Sequence, residues 1–433
     1  MKQNWSQVLK GPRAKRLFGR LYGKDDQTVN KQIDRYIRLI QAYKEHFPDD
    51  KGYIHLFSTP GRTEIGGNHT DHNGGCVLAA AVRFDAIAAV TAVDDDKIIL
   101  YSEGYPDAFI ADLSHLQPVA REGGTTSALI RGIAARFRQL GYSAGGFHAY
   151  VSSSVAIGSG LSSSASIEVL LATILNVLYN NNQLDPVLLA EIGQYAERNY
   201  FGKPCGLMDQ MACAIGGCIE IDFKGSGRPA YKKVNFDPEE HGFRLLVADT
   251  GESHEDLTQD YADIYQEMTA VAQVLGKKLL RELSFEDIIK HVAMLREKAG
   301  DRAVLRAMHF FLENSRVAAQ AKALEENRFD DFLELVRESG SSSWRLLQNC
   351  YSLNNPSEQG IALALALTEN FISQIGKGAC RVHGGGFAGT IQAYLPGKCA
   401  EEYSHMMEGV FGKNSVTALS VRNEGTLHLN SFL

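Results

Sequence analysis

The sequence lacks the features that mark several large classes of protein. None of its seven cysteines lies in a Cys-x-x-Cys pair, and the number is odd. Neither a disulfide framework nor a zinc ribbon is therefore expected, and a reducing cytoplasm is the location that fits best. No apolar run reaches the roughly 20 residues of a membrane span. The basic N-terminal stretch has no continuous apolar segment and does not resemble a secretory signal.

An excess of positive charge is also missing. The formal net charge is −7, which argues against general nucleic-acid binding, since that function needs a basic face. A local pocket for a small anion remains compatible with an acidic protein. With 433 residues, 44% of them hydrophobic, the chain can build a large interior, and we expect two domains or one large one.

Hydrophobic patterning predicts the order of the elements. Residues 1–50 are predicted to form amphipathic helices, followed by a strand in "GYIHLFSTPGR" that ends at the Pro-Gly break. Another strand is predicted over Phe147–Val151, with a Gly/Ser loop and a long buried helix after it. From Glu255 to Ile375 the pattern is mainly helical. The domain boundary is predicted near His241–Phe243, which divides the chain into residues 1–242 and 243–433.

The loop "AIGSGLSSSA" before the buried helix is the strongest local signal. Gly158 and Gly160 permit a close backbone approach, and the following helix N-terminus offers unpaired N–H groups to an anion. The three serines 162–164 could cap the helix or bind magnesium. A phosphate cradle is the favoured interpretation and a plain serine cap is the alternative. No G-x-x-x-x-G-K-[ST] motif occurs anywhere in the sequence.

Three further stretches contain ionisable or glycine-rich patterns. "ERNYFGKPCGLMDQ" places Glu197 and Asp209 near each other in the chain, as surface carboxylates or as groups for magnesium and proton transfer. "GRTEIGGNHTDHNGG" carries Arg62, His69 and Asp71 among glycines. A zinc pair in its "HTDH" is rejected because further ligand spacing is missing, and simple turn formation is the other alternative. "HGGGFAGT" is either a tight turn or a ligand-contacting loop.

Together and in this order, these stretches resemble the motifs of the GHMP small-molecule kinases and, within them, the galactokinase family. The family pattern P-G-R-V-N-L-I-G-E-H-T-D-Y-N is similar to "PGRTEIGGNHTDHN", and P-x-G-x-G-L-S-S-S-A to "AIGSGLSSSA". G-x-P-C-G-I-M-D-Q is similar to "GKPCGLMDQ", and G-A-G-F-G-G to "GGGFAG". The matches span residues 60 to 389. Any one of the four motifs could occur by chance, but four motifs in the family's order are highly specific.

The resemblance implies a two-domain α/β (α+β) fold. Its N-terminal domain would be of the ribosomal-protein-S5-domain-2 type and its C-terminal domain ferredoxin-like, with the active site in the cleft between them. It also implies an enzyme that uses ATP and Mg²⁺ to phosphorylate the C1 hydroxyl of galactose. Its partners would be a small sugar and ATP, with no nucleic acid and no membrane, and the protein would be a monomer or weak homo-oligomer.

The resemblance also implies roles for individual residues. Asp209 would be the catalytic aspartate, accompanied by Arg62, and Ser164 and Glu197 would bind magnesium. The ATP phosphates would be surrounded by Gly158, Ser159, Gly160, Leu161, Ser162, Ser163 and Ser164. The sugar would be contacted by Asn68, His69, Asp71, Gly206 and Tyr261.

The departures from the family pattern fall on the sugar side. Asn68 stands where the family has a glutamate, and the resemblance implies that this glutamate accepts a hydrogen bond from the sugar C6 hydroxyl. The amide of Asn68 could still hold that hydroxyl, and it would also tolerate a C6 carboxylate. Other motif positions changed are Glu64, His72 and Ala156, and Ile264 and Tyr265 stand where the family has two arginines. The alternatives that remain are the same chemistry on galacturonate or another galactose derivative, a non-sugar GHMP kinase substrate such as mevalonate, and a sugar sensor without strong catalysis.

Overall fold

The structure is a computed structural model that describes residues 4–156, 160–225, 227–252 and 257–433. Within these ranges helices and strands alternate in a mixed α/β order, as expected. The helices are α1 (Trp5–Leu9), α2 (Pro12–Tyr22), α3 (Asp26–His46), α4 (Thr126–Gln139), α5 (Ser163–Tyr179), α6 (Pro186–Ala196), α7 (Met208–Ile215), α8 (Thr258–Val274), α9 (Phe285–Lys290), α10 (Val292–Ala299), α11 (Asp301–Glu325), α12 (Phe329–Ser342), α13 (Gly360–Ile375) and α14 (Ala400–Phe411).

The strands form two sheets in the described part of the chain. They are β1 (His55–Gly66), β2 (Cys76–Ala92), β3 (Lys97–Ser102), β4 (Phe109–Asp112), β5 (Phe147–Ser153), β6 (Cys218–Asp222), β7 (Ala230–Val234), β8 (Phe243–Asp249), β9 (Ala379–Val382), β10 (Thr390–Pro396), β11 (Val416–Leu419) and β12 (Leu427–His428). The larger sheet has the order β12-β1-β2-β5-β3-β4, and β6 and β7 extend it from the first half of β2. The smaller sheet has the order β11-β8-β10-β9.

The first strand is longer than its sequence predicts. We expected it to end at Pro60–Gly61, but β1 continues to Gly66 and stays paired with β2. The pairing register shifts between Pro60 and Arg62 and again between Glu64 and Gly66. Such an irregularity accommodates a proline, which has no N–H to donate, without ending the strand. The continuation carries Arg62 into the interior.

The three N-terminal helices form a layer on the larger sheet. Apolar side chains of α1, α2 and α3 pack against β1 and β2 in one hydrophobic cluster. At its edge lies the fully buried Asp85, whose carboxylate accepts hydrogen bonds from Tyr22, Arg35, Ser58 and Arg422. Because these donors come from separate parts of the chain, Asp85 ties the N-terminal helices to the C-terminal segment.

The chain returns to its first sheet at its end. Residues up to 242 contribute β1 to β7, and β8 at Phe243 begins the smaller sheet. After β11, Arg422 donates to Ala81 O through its backbone, and β12 pairs with β1. The division at residue 242 remains a prediction, and any such division has to assign this C-terminal segment to the larger sheet. No helix within the described ranges combines the length and apolarity of a membrane span.

Candidate active site

An arginine and an aspartate form the centre of the site. Arg62 donates from Nε to Asp209 Oδ1 over 2.7 Å and from Nη2 to Asp209 Oδ2 over 2.6 Å. Its Nη1 donates to Gly160 O over 2.5 Å. The Arg62 side chain is 8% exposed and that of Asp209 is 31% exposed. The guanidinium therefore lies behind the carboxylate, and the carboxylate edge remains accessible to a small molecule.

The two residues reach each other from a strand and a helix. Arg62 lies in the irregular part of β1, and Asp209 is the second residue of α7. A carboxylate in the first turn of a helix is stabilised by the unpaired N–H groups there. Burial by itself would raise the pKa of Asp209, but the charge and hydrogen bonds of Arg62 outweigh it and lower the pKa. Asp209 is therefore ionised at neutral pH.

The end of the predicted phosphate loop borders this pair. Gly158 and Ser159 lie outside the described residues, and Gly160 is the first described residue of the loop end. Ser162 precedes α5 with a left-handed φ of 59°, and its hydroxyl donates to Asp209 Oδ2 instead of capping the helix. Leu161 is buried and accepts a hydrogen bond from Arg62 N through its carbonyl. Ser163 begins the helix.

The glycine-rich third stretch packs against the loop end. His383 hydrogen-bonds Thr63 through Nε2 and Thr390 through Nδ1, each over 3.0 Å. A β-carbon on Gly160, where φ is 72°, would lie 2.8 Å from both His383 Nδ1 and Thr390 Oγ1. Burial lowers the pKa of His383 to about 3, so this histidine is a neutral spacer at neutral pH. Sequence reasoning missed it, although it begins the quoted stretch "HGGGFAGT".

Ser164 and Glu197 form a small oxygen-rich group at the start of α5. Ser164 Oγ donates to Glu197 Oε1 over 3.4 Å, and Lys203 Nζ lies 3.6 Å from the same oxygen. A hydroxyl and a carboxylate are ligands that Mg²⁺ accepts, and this ion ordinarily completes its shell with phosphate and water oxygens. Across the described residues no three His, Cys, Asp or Glu side chains form a metal set. The hydroxyl of Ser164 and the carboxylate of Glu197 thus fit a magnesium ion whose other ligands would come from a nucleotide and water.

Two buried polar residues beside Glu197 were not anticipated. Glu168 and Gln210 are fully buried, and Gln210 Nε2 donates to Glu168 Oε2 over 2.8 Å and to Glu197 Oε2 over 2.9 Å. Burial, followed by the nearby Glu197, raises the pKa of Glu168 well above its usual value. The signal available in the sequence was a glutamate within an otherwise apolar helix and the last letter of "GLMDQ".

On the side that is predicted to hold the sugar, Asp71 faces Gly206. A β-carbon on Gly206 would lie 1.4 Å from Asp71 Oδ2, so only glycine leaves room for this carboxylate. Asp71 Oδ1 accepts from the backbone N–H of His72 over 2.8 Å. Burial and then the charge of Asp209 raise the pKa of Asp71 to about 6. Burial lowers the pKa of His72 to about 3, which leaves that ring neutral.

Asn68 is directed into the protein. Its side chain is fully buried, and its Nδ2 donates to Glu64 Oε1 over 3.1 Å and to Gly384 O over 2.6 Å. Its Oδ1 accepts from Asn349 Nδ2 over 2.8 Å. Glu64 in turn pairs with the buried Arg381. The amide of Asn68 thus holds the glycine-rich stretch against β1, and its predicted sugar contact remains a prediction.

His69 and Tyr261 lie together on the same side. His69 has a left-handed φ of 56°, uncommon for a residue with a β-carbon, and its Nε2 donates to Gly385 O over 2.8 Å. Tyr261, on α8, donates to Gly386 O over 3.0 Å. The two rings are stacked with their centroids 6.4 Å apart. Among the described residues, Arg62 and Ser162 therefore contact Asp209, Asp71 lies against Gly206, and His69 stacks on Tyr261, whereas Asn68 is directed inward.

Comparison with known proteins gives two family matches. The family described as "GHMP kinases N terminal domain" matches residues 128–217, and the "Galactokinase galactose-binding signature" matches residues 41–92. Among curated proteins, galactokinase of Bacillus subtilis is 29% identical over 353 residues, covering 78% of this chain and 84% of that protein. Galactokinase of Lacticaseibacillus casei is 29% identical over 371 residues, covering 84% and 91%.

Solved structures share the fold. Lactococcus lactis galactokinase complexed with galactose superposes with a TM-score of 0.78 at 24% identity, covering 91% of this chain and all (100%) of that one. Methanococcus jannaschii mevalonate kinase superposes with a TM-score of 0.57 at 17% identity, covering 86% and 99%. The chain thus carries a match to the GHMP kinase N-terminal domain at residues 128–217 and to the galactokinase galactose-binding signature at residues 41–92, and over most of its length it is similar to galactokinases.

Proposed function

We propose that the protein transfers the γ-phosphoryl group of ATP to the C1 hydroxyl of galactose. In this reaction the C1 oxygen forms a bond to the γ-phosphorus, the bond to the bridging oxygen breaks, and ADP leaves. The observation that carries the proposal is the two-fold hydrogen-bonded pair of Arg62 and Asp209 beside the helix α5 N-terminus. The galactokinase relatives, similar over most of the chain, support galactose as the sugar.

Asp209 is suited to receive the sugar hydroxyl. A carboxylate offers about four acceptor positions, and three are filled by Arg62 and Ser162. The remaining position is on Oδ1, and the Asp209 side chain is 31% exposed. There Asp209 orients the C1 hydroxyl and takes up its proton. Since a loose transition state asks little of a base, we assign most of the effect to orientation.

Arg62 stabilises the charge of the reaction and holds the carboxylate in place. Its guanidinium is fixed by the Asp209 pair and by Gly160 O, so it requires no reorganisation when charge develops on the transferring phosphoryl group. Gly160 and Ser162 lead into α5, whose N-terminal N–H groups and dipole favour phosphate oxygens. Ser164 and Glu197 would hold Mg²⁺, which neutralises phosphate charge when bound.

The sugar pocket is formed by Asp71, Gly206, His69 and Tyr261 in this proposal. An ionised Asp71 accepts hydrogen bonds from sugar hydroxyls. Galacturonate is the second candidate because Asn68 replaces a glutamate, but the Asn68 amide is engaged with Glu64, Gly384 and Asn349. That engagement removes the specific reason to favour an acidic sugar, and galactose remains the main candidate.

The proposal is tested with a panel of sugars and measurement of ADP release. We expect turnover with galactose, and none with galacturonate or mevalonate under the same conditions. Asp209→Asn, which keeps the size of the side chain, should lower kcat by about 100-fold or more, with galactose binding retained. Turnover of galacturonate without galactose would replace the substrate, and binding of galactose without any ADP release would favour a sensor.

The remaining properties follow from the chemistry of this reaction. We propose that the enzyme acts in the cytoplasm, where ATP and magnesium are supplied, and that a monomer suffices, because Arg62, Ser162 and Asp209 already contact one another within a single chain. Size-exclusion chromatography with light scattering tests the second point. A stable dimer whose dissociation abolishes activity would contradict it.

A further inference from the structure

The residue that follows the catalytic aspartate connects two buried carboxylates. Gln210 is fully buried on α7, and its side-chain nitrogen donates to Glu168 Oε2 over 2.8 Å and to Glu197 Oε2 over 2.9 Å. An amide nitrogen carries two hydrogens, so both are committed. The amide thereby holds one oxygen of Glu197 and leaves the other, Oε1, towards Ser164.

Glu168 gives the amide its orientation. It lies on α5 four residues after Ser164, which is about one helical turn, and is fully buried. Its second oxygen, Oε1, has no hydrogen-bond partner, and the same holds for Gln210 Oε1. Unpaired buried polar atoms cost free energy, and stability alone would favour an apolar side chain at position 168. The arrangement therefore points to a requirement of the site.

We propose that Gln210 is a positioning residue that holds the Glu197 carboxylate in its magnesium-binding orientation, and that Glu168 orients Gln210 for this task. The inference rests on the proposed function, in which Ser164 and Glu197 hold Mg²⁺. Residues behind metal ligands act in this manner when they fix the direction in which a ligand atom presents itself. Neither Gln210 nor Glu168 needs to touch the nucleotide or the sugar.

The test is the magnesium dependence of ADP affinity, measured by calorimetry with ADP in excess Mg²⁺ and again in EDTA. The readout is the ADP dissociation constant in EDTA divided by the ADP dissociation constant in excess Mg²⁺. Gln210→Met removes both donors and keeps an unbranched side chain of similar length. We expect it to reduce this ratio by about 10- to 100-fold, with ADP affinity in EDTA and galactose affinity unchanged.

Glu168→Met provides a second variant for which folding is not in question, because it replaces a buried carboxyl on an apolar helix. It should reduce the ratio in the same direction, by less than Gln210→Met does. In the double variant the two effects should fall short of additivity, since both act through the same amide. If Gln210→Met fails to fold, Glu168→Met decides alone, and an unchanged ratio overturns the proposal.

Asn176→Leu is the matched control. Asn176 is a fully buried amide with two donated hydrogen bonds, but it lies on α5 roughly 18 Å along the helix axis from Ser164. It should lower the melting temperature and leave the ratio unchanged. An equal fall of ADP affinity with and without Mg²⁺ in Gln210→Met would show a structural role and overturn the proposal. A wild-type ratio near one would instead contradict the proposed magnesium site itself.

Discussion

Replacing Gly206 by alanine is expected to weaken galactose binding by moving one carboxylate. A β-carbon at this position would lie 1.4 Å from Asp71 Oδ2, far inside van der Waals contact, so Asp71 has to leave its place. The backbone of Gly206 lies outside the positive-φ region, and alanine adopts it without strain. The cost of the substitution therefore falls on Asp71 rather than on the loop.

The magnitude follows from the bond that is lost. A hydrogen bond to a charged group contributes about 1.5 to 3 kcal/mol, which corresponds to roughly a 10- to 150-fold change in affinity. Galactose KM and the calorimetric dissociation constant should rise within that range. The KM for ATP should stay constant, because the Gly160–Ser164 end of the phosphate loop contacts Arg62 and Asp209 rather than Asp71.

The Asp71→Ala background supplies the control. Once the carboxylate is absent, alanine at position 206 has nothing to displace, so Gly206→Ala should add no further loss to Asp71→Ala. Wild-type galactose affinity in Gly206→Ala would refute the role given to Asp71. So would a loss that adds in full to that of Asp71→Ala, because it would place the damage in the loop.

Three further outcomes are expected. Burial and the charge of Asp209 raise the pKa of Asp71 to about 6, so this carboxylate is protonated below that pH. Galactose KM should therefore rise by up to about tenfold per pH unit below 6. A flat pH profile of KM in the wild type, or the same rise in Asp71→Asn, would contradict this. Arg62→Lys loses the paired hydrogen bonds to Asp209. It should lower kcat by roughly 100-fold in steady-state kinetics, with little change in galactose KM. A near-normal kcat would count against the charge-stabilising role of Arg62. Asp85→Ala leaves the buried Arg422 without its partner carboxylate. It should lower the free energy of unfolding, measured by urea titration, by about 3–5 kcal/mol, with kcat per folded molecule unchanged. An unaltered urea midpoint would show that the hydrogen bonds of Asp85 add no stability.

The pair that we propose as catalytic illustrates what sequence could predict. Arg62 and Asp209 are 147 residues apart, and no periodicity relates them; the family motifs alone implied that they share a site. The strand–loop–helix unit around residues 147–179 followed from hydrophobic patterning and is confirmed by β5 and α5. The overall α/β class is confirmed for the same reason, because long periodic segments dominate the chain.

Other features depend on contacts that no local pattern encodes. The passage of β1 through Pro60–Gly61 depends on pairing with β2, which compensates for residues that ordinarily end a strand. Gln210 and Glu168 were missed because a buried polar side chain is recognised by its partners, and these lie on different helices. A hydrophobicity scale ranks glutamate and glutamine as surface residues, although Glu168 lies in a helix whose pattern predicts burial.

The departures at positions 64 and 68 are best understood as one change. The family pattern has an amide at position 64 and a carboxylate at position 68, and this chain has the reverse. In the structure Asn68 donates to Glu64 over 3.1 Å, so an exchange of the two side chains keeps a carboxylate–amide hydrogen bond at the same place. What moves is the negative charge, which now pairs with the buried Arg381. The exchange thus lies behind the sugar pocket that we propose, and it leaves the residues of the proposed phosphoryl-transfer pair, Arg62 and Asp209, unchanged.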